Sequence, residues 1–264
     1  MYPRIHFLNS DISTYLLCTI TGFLICYLLL NKLLLERYIF RKYSGAYLLS
    51  SIGMLLGAKL FGFISKLLYT YSLEKTLKFE YSLKESGIVY LGGLLGYLVM
   101  LKILCFIKDR NWNEISDITA VIVPLFHFFG RIGCFFGGCC YGIESNSCIA
   151  IPYRIILKDE QWTNRIPVQL MEAFFELILF VIFYFSYQDI LKKQKEGSGR
   201  MLLLYLLLYS IWRFVIEFWR GDIERGKIGS LSFSQIISIF ILGYILISTC
   251  KKWRDSKCEK FYTH

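Results

Sequence analysis

The chain has 264 residues, of which 55% are hydrophobic, and it carries a formal net charge of +10. A soluble domain of this length has fewer apolar residues, so the composition excludes an ordinary water-soluble enzyme and predicts a single transmembrane domain over residues 1–264. Because no folded soluble module remains to carry a nucleic-acid-binding face, the basic charge indicates contact with the anionic headgroups of a lipid bilayer and no nucleic-acid partner.

Seven segments have the roughly 20 mostly apolar residues that a helix needs to cross the hydrocarbon of a bilayer. They are residues 12–31, 43–71, 87–107, 118–136, 166–187, 201–220 and 228–250. The chain is therefore predicted to be an all-α integral membrane protein with seven transmembrane helices. Lysine and arginine are more frequent in alternate loops, which places the N-terminus outside and the C-terminus in the cytoplasm.

Two of these segments contain a G-x-x-x-G motif, from Gly53 to Gly57 and from Gly92 to Gly96. Small residues at this spacing let two helix backbones approach closely in a membrane. The motifs are explained either by ordinary packing of transmembrane helices or by close helix contact around a functional site.

Three of the segments direct polar side chains along one helix face, although an ionised side chain at the bilayer centre costs about 2.5–3.5 kcal/mol. The stripes consist of Arg213, Glu217 and Arg220, of Gln169, Glu172 and Glu176, and of His127 and Arg131. One interpretation is a set of structural ion pairs. Counting Lys59 with the three arginines, however, predicts one more cation than anions in a shared interior, which favours an anionic guest such as a phosphate group.

The segment "GRIGCFFGGCCYG" resembles the signature G-R-x-G-N-F-x-N-x-E-x-x-G of the bacterial prolipoprotein diacylglyceryl transferases. Further matches follow in the same order along the chain. They are "ISTYLLCTITGF", which contains Tyr15, "LLGAKLF", which contains Lys59, then "YLGGLLG", "IPVQLMEAF", "IWRFVIEFWRGD" and "LSFSQIISI". The resemblance therefore covers most of the chain.

The resemblance implies an enzyme of the bacterial inner (plasma) membrane that moves the diacylglyceryl group of phosphatidylglycerol to the lipobox cysteine thiol of a prolipoprotein signal peptide. It implies no cofactor and no metal. Arg131 and Arg213 then stabilise the charge on the departing phosphate, and Glu217 acts with them. The other residues that match family motifs are expected to bind substrate or to orient the guanidinium groups: Arg220, Tyr15, Gln169, Glu172, Lys59 and Gly142.

The sequence departs from the family pattern at the signature and at its histidine. Cys134, Gly137 and Cys139 stand where the signature has asparagine, asparagine and glutamate, and Leu91 stands where the family has the histidine viewed as the base for the attacking thiol. Two nearby residues are candidates for the missing base, His127, whose ordinary pKa suits the task, and Tyr90.

The cysteine cluster formed by Cys134, Cys139 and Cys140 has four possible interpretations. The three residues are inert small side chains, or they bind a metal ion, or one of them is a thiol that carries the lipid group covalently. In the fourth interpretation, Cys139 or Cys140 forms a disulfide with Cys148. The departures also leave two rival functions open. One is a lipid-binding or partner-binding membrane protein of the same fold without catalysis, and the other is a related transferase with a different acceptor.

Overall fold

The computed structural model describes residues 4–7, 10–155, 161–222, 227–228 and 230–262. Its helices are α1 (Thr14–Glu36), α2 (Phe40–Glu74), α3 (Phe79–Glu85), α4 (Tyr90–Ile107), α5 (Trp112–Gly137), α6 (Val168–Lys192), α7 (Arg200–Ile216) and α8 (Phe233–Tyr262). All of these except α3 include a stretch long and apolar enough to cross a membrane. The predicted fold class, an all-α membrane protein with seven spans, is confirmed, whereas the orientation of its termini stays a prediction.

Three short antiparallel ribbons, which the sequence did not predict, lie at the starts of membrane helices. They pair β1 (Arg4–Phe7) with β2 (Ser10–Ser13), β3 (Ile151–Tyr153) with β4 (Thr163–Arg165), and β5 (Lys227–Ile228) with β6 (Leu231–Ser232). The ribbons precede α1, α6 and α8 respectively. Because seven spans alternate in direction, all three ribbons lie at the same face of the membrane domain.

The two G-x-x-x-G motifs bring the backbones of α2 and α4 into direct contact. A Cβ atom added at Gly57 would lie 2.3 Å from the carbonyl oxygen of Gly92, and one added at Gly96 would lie 2.2 Å from the carbonyl oxygen of Gly53. No side chain larger than hydrogen fits at such distances, so the glycines serve the packing of α2 on α4.

Helix α5 lies at the centre of the bundle, where it packs against α1, α6 and α7. It begins at Trp112, ahead of the predicted start at residue 118, because the polar residues of its first turns have partners. The side chain of Asn111 accepts a hydrogen bond from the backbone N–H of Asn113 and caps the helix. Glu114 forms an ion pair with Arg37, which also donates to the carbonyl oxygen of Lys195 at 2.5 Å.

Asp117 joins α5 to the start of α7. Its buried carboxylate accepts hydrogen bonds from the backbone N–H groups of Ser198 at 2.7 Å, of Gly199 at 3.1 Å and of Met201 at 3.1 Å. The first N–H groups of a helix have no partner within the helix, and a negative charge there is favourable. Asp117 therefore fixes the first turn of α7 against α5.

Candidate active site

The arginines predicted from the sequence converge on one carboxylate, that of Glu172 in α6. Arg131, in α5, places its Nη2 atom 3.0 Å from Oε1 of Glu172. Nη1 of Arg213, in α7, lies 3.2 Å from the same oxygen, and Nη1 of Arg220 lies 3.3 Å from Oε2. All four side chains are almost fully buried. Glu172 thus holds three guanidinium groups that belong to separate parts of the chain.

Arg213 and Arg220 each have further acidic or hydroxyl partners. Nη2 of Arg213 lies 2.6 Å from Oε2 of Glu217, in the 3₁₀ turn that follows α7, and donates to the hydroxyl oxygen of Ser234 at 3.2 Å. The guanidinium group of Arg220 forms two parallel hydrogen bonds with Asp222, of 3.0 and 2.9 Å. Such forked pairs fix the plane of a guanidinium group as well as its position.

The predicted surplus of positive charge in this cluster is wrong. Lys59 is exposed on α2, where its Nζ atom donates to the carbonyl oxygen of Ser86 at 2.7 Å. The prediction also left out Asp222, which pairs with Arg220. Among the described residues, the three guanidinium groups of the cluster therefore face the three carboxylates of Glu172, Glu217 and Asp222. An anionic ligand would have to share these guanidinium groups with carboxylates already bound to them.

His127 links Arg131 to a second carboxylate. The Nε atom of Arg131 donates to Nε2 of His127 at 3.0 Å, and Nδ1 of His127 lies 2.8 Å from Oε1 of Glu176. Because arginine only donates, Nε2 must be the unprotonated nitrogen and Nδ1 the one that donates to Glu176. The ring of Tyr90 stacks on the imidazole with a centroid distance of 3.5 Å, and Tyr205 donates to the other oxygen of Glu176 at 3.4 Å.

This arrangement bears on both candidates for the general base. Both nitrogens of His127 are occupied, and the one that could accept a proton faces Arg131. The hydroxyl oxygen of Tyr90 lies 3.4 Å from that of Tyr205, which itself donates to Glu176. The geometry therefore favours His127 as a residue that positions Arg131 over its predicted role as a base.

A cavity of about 930 Å³ reaches Arg131 and Arg213 at its polar end. Its apolar wall is formed by α1, α2 and α4, and it includes Tyr15 and also Leu91, at the position of the family histidine. Leu16 and Leu55, which line the cavity, are 52% and 64% exposed. The cavity is therefore bordered by side chains of α1 and α2 that are not buried within the bundle.

Gln169 and Gly142 hold the loop after α5 in place. The side-chain N–H₂ group of Gln169 donates to the carbonyl oxygen of Cys139 at 2.8 Å and to the hydroxyl oxygen of Tyr153 at 2.9 Å. Burial raises the pKa of Tyr153, so that its hydroxyl stays protonated while its oxygen accepts this hydrogen bond. A Cβ atom at Gly142 would lie 2.1 Å from the carbonyl oxygen of Ile166, which only glycine avoids.

The loop held in this way packs on the chain segment that carries Arg220. Gly142 forms a β-bridge with Arg220, and the backbone N–H of Ile143 donates to the carbonyl oxygen of Trp219 at 2.9 Å. Gly142 and Gln169 thus hold in place, through backbone contacts, the segment that carries Arg220. Arg220 belongs with Arg131 and Arg213 to the arginine cluster around Glu172.

The three members of the cysteine cluster also line the cavity. Their Sγ atoms lie within 4.8 Å of one another, Cys134 being buried and Cys139 and Cys140 half-buried. Cys139, Cys140 and Cys148 are all free thiols, so the disulfide alternative is not formed.

Sequence reasoning missed three residues of the site, Asp222, Ser234 and Tyr205. Asp222 follows Arg220 in the sequence R-G-D, and an acid two residues from a buried arginine was the available signal. Ser234 and Tyr205 left no such signal, because a hydroxyl on an apolar helix looks the same in sequence whether it faces a charge or a helix carbonyl.

Comparison with known proteins gives a single family. The family model described as prolipoprotein diacylglyceryl transferase matches residues 4–249. The phosphatidylglycerol–prolipoprotein diacylglyceryl transferase 2 of Clostridium perfringens (strain 13 / Type A) is 36% identical over 201 residues, which are 73% of this chain and 75% of that protein.

Two proteins named phosphatidylglycerol–prolipoprotein diacylglyceryl transferase extend the comparison. That of Rickettsia canadensis (strain McKiel) is 34% identical over 246 residues, 89% of this chain and 91% of the relative. That of Rickettsia bellii (strain OSU 85-389) is 38% identical over 173 residues, 62% of this chain and 63% of the relative. The chain belongs to the prolipoprotein diacylglyceryl transferase family.

Proposed function

We propose that this protein transfers the diacylglyceryl group of phosphatidylglycerol to the lipobox cysteine of a prolipoprotein, the first step of lipoprotein maturation. The names of its relatives, which are phosphatidylglycerol–prolipoprotein diacylglyceryl transferases, support this reaction. The observation that carries the proposal is that Arg131 and Arg213 lie at the polar end of a largely apolar cavity, which is bordered by exposed side chains of α1 and α2. A phospholipid has the same division, with an anionic headgroup at one end and acyl chains along the rest.

The chemistry fits the arginine cluster. The cysteine sulfur bonds to the glyceryl carbon, the bond between that carbon and the phosphate oxygen breaks, and the thiol proton ends on the released glycerol phosphate. Negative charge therefore grows on the departing phosphate. Guanidinium groups that are already held in position by Glu172 and Glu217 stabilise that charge without the cost of reorganising solvent.

The reaction would take place at the outer face of the bacterial plasma membrane. The predicted orientation places the ribbons, the loop of the cysteine cluster and the segment with Arg220 on that side. Exported prolipoproteins and phosphatidylglycerol meet there.

Lipid labelling in cells tests the reaction. In cells depleted of their own transferase, the full chain should restore incorporation of labelled lipid into a lipobox protein, and an acceptor with serine in place of its lipobox cysteine should stay unlabelled. A well-expressed chain that labels nothing would support the lipid-binding alternative. Labelling of a different acceptor alone would support the related transferase.

Substitution of His127 distinguishes a role in positioning Arg131 from a role as the general base. We expect His127→Ala to lower transfer about 10–100-fold, as loss of an orienting partner does at other sites. His127→Gln should recover most of this loss, because its amide oxygen can accept the hydrogen bond from Arg131. The pH dependence of transfer should be the same in His127→Gln as in the unmodified chain. His127 would instead be identified as the base by two results together. His127→Gln would recover no rate, and its rate would no longer fall on the acidic side of the pH profile, where a base becomes protonated.

A further inference from the structure

The cysteine cluster is built by the way in which α5 ends. Gly138 adopts a left-handed conformation with φ of +73°, and the backbone N–H of Cys139 donates to the carbonyl oxygen of Cys134 at 3.2 Å. Cys140 then takes a second positive φ, of +57°, which is uncommon for a residue with a side chain. These two turns fold the chain back over the last turn of α5, so that three thiols from a seven-residue segment meet.

The spacing of the thiols suits a metal ion bound to sulfur. A bond of about 2.3 Å from metal to sulfur places three sulfur ligands roughly 3.8–4.0 Å apart in a tetrahedral or trigonal arrangement. The three Sγ atoms already lie within 4.8 Å of one another, so a contraction of less than about 1 Å would close the site. Cys139 and Cys140 follow the helix in a loop, where side-chain rotation can supply this movement.

The ligand atoms and the nearby charges select the kind of ion. Three sulfur atoms favour thiophilic ions over Mg²⁺ or Ca²⁺, which take oxygen ligands. Three thiolates around a divalent ion carry one net negative charge. Arg131 and Arg220 interact electrostatically with Cys140 and would stabilise that charge. All three cysteines line the cavity, which gives the ion a path to the site.

We propose that Cys134, Cys139 and Cys140 form a binding site for one thiophilic metal ion beside the arginine cluster. The bound ion would lock the loop whose Cys139 carbonyl accepts the hydrogen bond from Gln169, and it would occupy space at the polar end of the cavity. Thiophilic ions should therefore inhibit the protein. Binding itself does not depend on the proposed function, whereas inhibition of transfer does.

Titration of the purified full chain in detergent with Cd²⁺, under a reductant that does not bind metal, tests the site directly. We expect one ion per chain, with the thiolate-to-metal charge-transfer absorption of a cadmium–sulfur site. The double variant Cys139→Ser/Cys140→Ser should bind at least about 100-fold more weakly, because it retains one of three sulfur ligands. The matched control Cys148→Ser/Cys250→Ser, which removes two exposed thiols outside the cluster, should bind as the unmodified chain does.

Two results would overturn the proposal. One is a charge-transfer signal that is equal in the cluster variant and in the unmodified chain, and the other is no binding by a chain whose three cluster thiols are shown by mass spectrometry to be reduced. Binding of one ion that leaves transfer unchanged would retain the site and overturn its inhibitory effect. Binding by a chain without transfer activity would retain the site and count against the proposed function alone.

Discussion

Arg131→Ala is expected to lower the rate of lipid transfer about 10²–10³-fold, the usual cost of removing one preorganised donor to a developing negative charge. Arg131 contacts Glu172 and His127 and lies at the polar end of the cavity, so its removal takes away a donor that is already held in position there. The loss should fall on kcat and on kcat/KM alike, since the interaction strengthens only as charge grows on the phosphate. The rate of transfer by the purified variants gives kcat when phosphatidylglycerol is in excess and kcat/KM when it is limiting.

Two further variants separate the chemical role of Arg131 from a general effect on folding. Arg131→Lys keeps the charge but lacks the forked donors that reach Glu172 and His127, so we expect it to recover only a small part of the rate. Arg37→Ala removes a partly buried ion pair, that with Glu114, at the opposite end of α5. It should reduce stability while leaving kcat/KM within about twofold, because Arg37 lies outside the site. Equal losses of rate in Arg37→Ala and Arg131→Ala would remove the case for a specific role of Arg131.

Glu172→Gln is expected to have the largest effect on stability and to abolish transfer. The substitution keeps the shape of the side chain but leaves three buried guanidinium groups without their common counter-charge. Breaking a buried ion pair from one side costs about 3–5 kcal/mol, because a charge remains without compensation. The free energy of unfolding, followed by titration of the detergent-solubilised chain with denaturant, should fall by at least this amount.

A matched control for Glu172→Gln is Asp189→Asn. Asp189 also pairs with a cation, Lys193, at 2.6 Å, but both side chains are more than half exposed. Water and salt screen an exposed pair, which therefore contributes little to stability, so this variant should unfold almost as the unmodified chain does and should retain transfer. If Glu172→Gln were as stable and as active as Asp189→Asn, the network around Glu172 would be unnecessary to the site.

The membrane helices and the convergence of the arginines could be predicted from the sequence because each follows from a local rule. Length and apolar character identify the seven spans. Spacings of four and seven residues put Arg213, Glu217 and Arg220 on one face, and the cost of a charge in lipid directs that face inward. The structure brings both arginines to Glu172. The helix ends at Ile216, however, and Arg220 follows the 3₁₀ turn in extended backbone, so the predicted helical spacing of seven residues does not account for its position.

Other features could not be predicted, because they depend on contacts between distant segments. Lys59 matches a family motif, yet the packing of α2 on α4 leaves it on an exposed face, where the carbonyl oxygen of Ser86 is within reach. The ring of His127 could have faced the cavity or the bundle, and only the positions of Arg131 and Glu176 decide between them. The ribbons are too short to show an alternation of apolar and polar residues.

The attachment of α7 to Asp117 limits how the protein can change during evolution. Asp117 holds residues 198–201 at the end of the bundle that lies farthest from Glu172, and Arg213 lies twelve residues beyond Met201. Each residue of a helix advances it by about 1.5 Å and turns it by about 100°. Insertion or deletion of one residue between Met201 and Arg213 would thus swing the guanidinium group off its carboxylate. The lipid-facing side chains of α7 are free to vary, but the number of residues in this stretch is not.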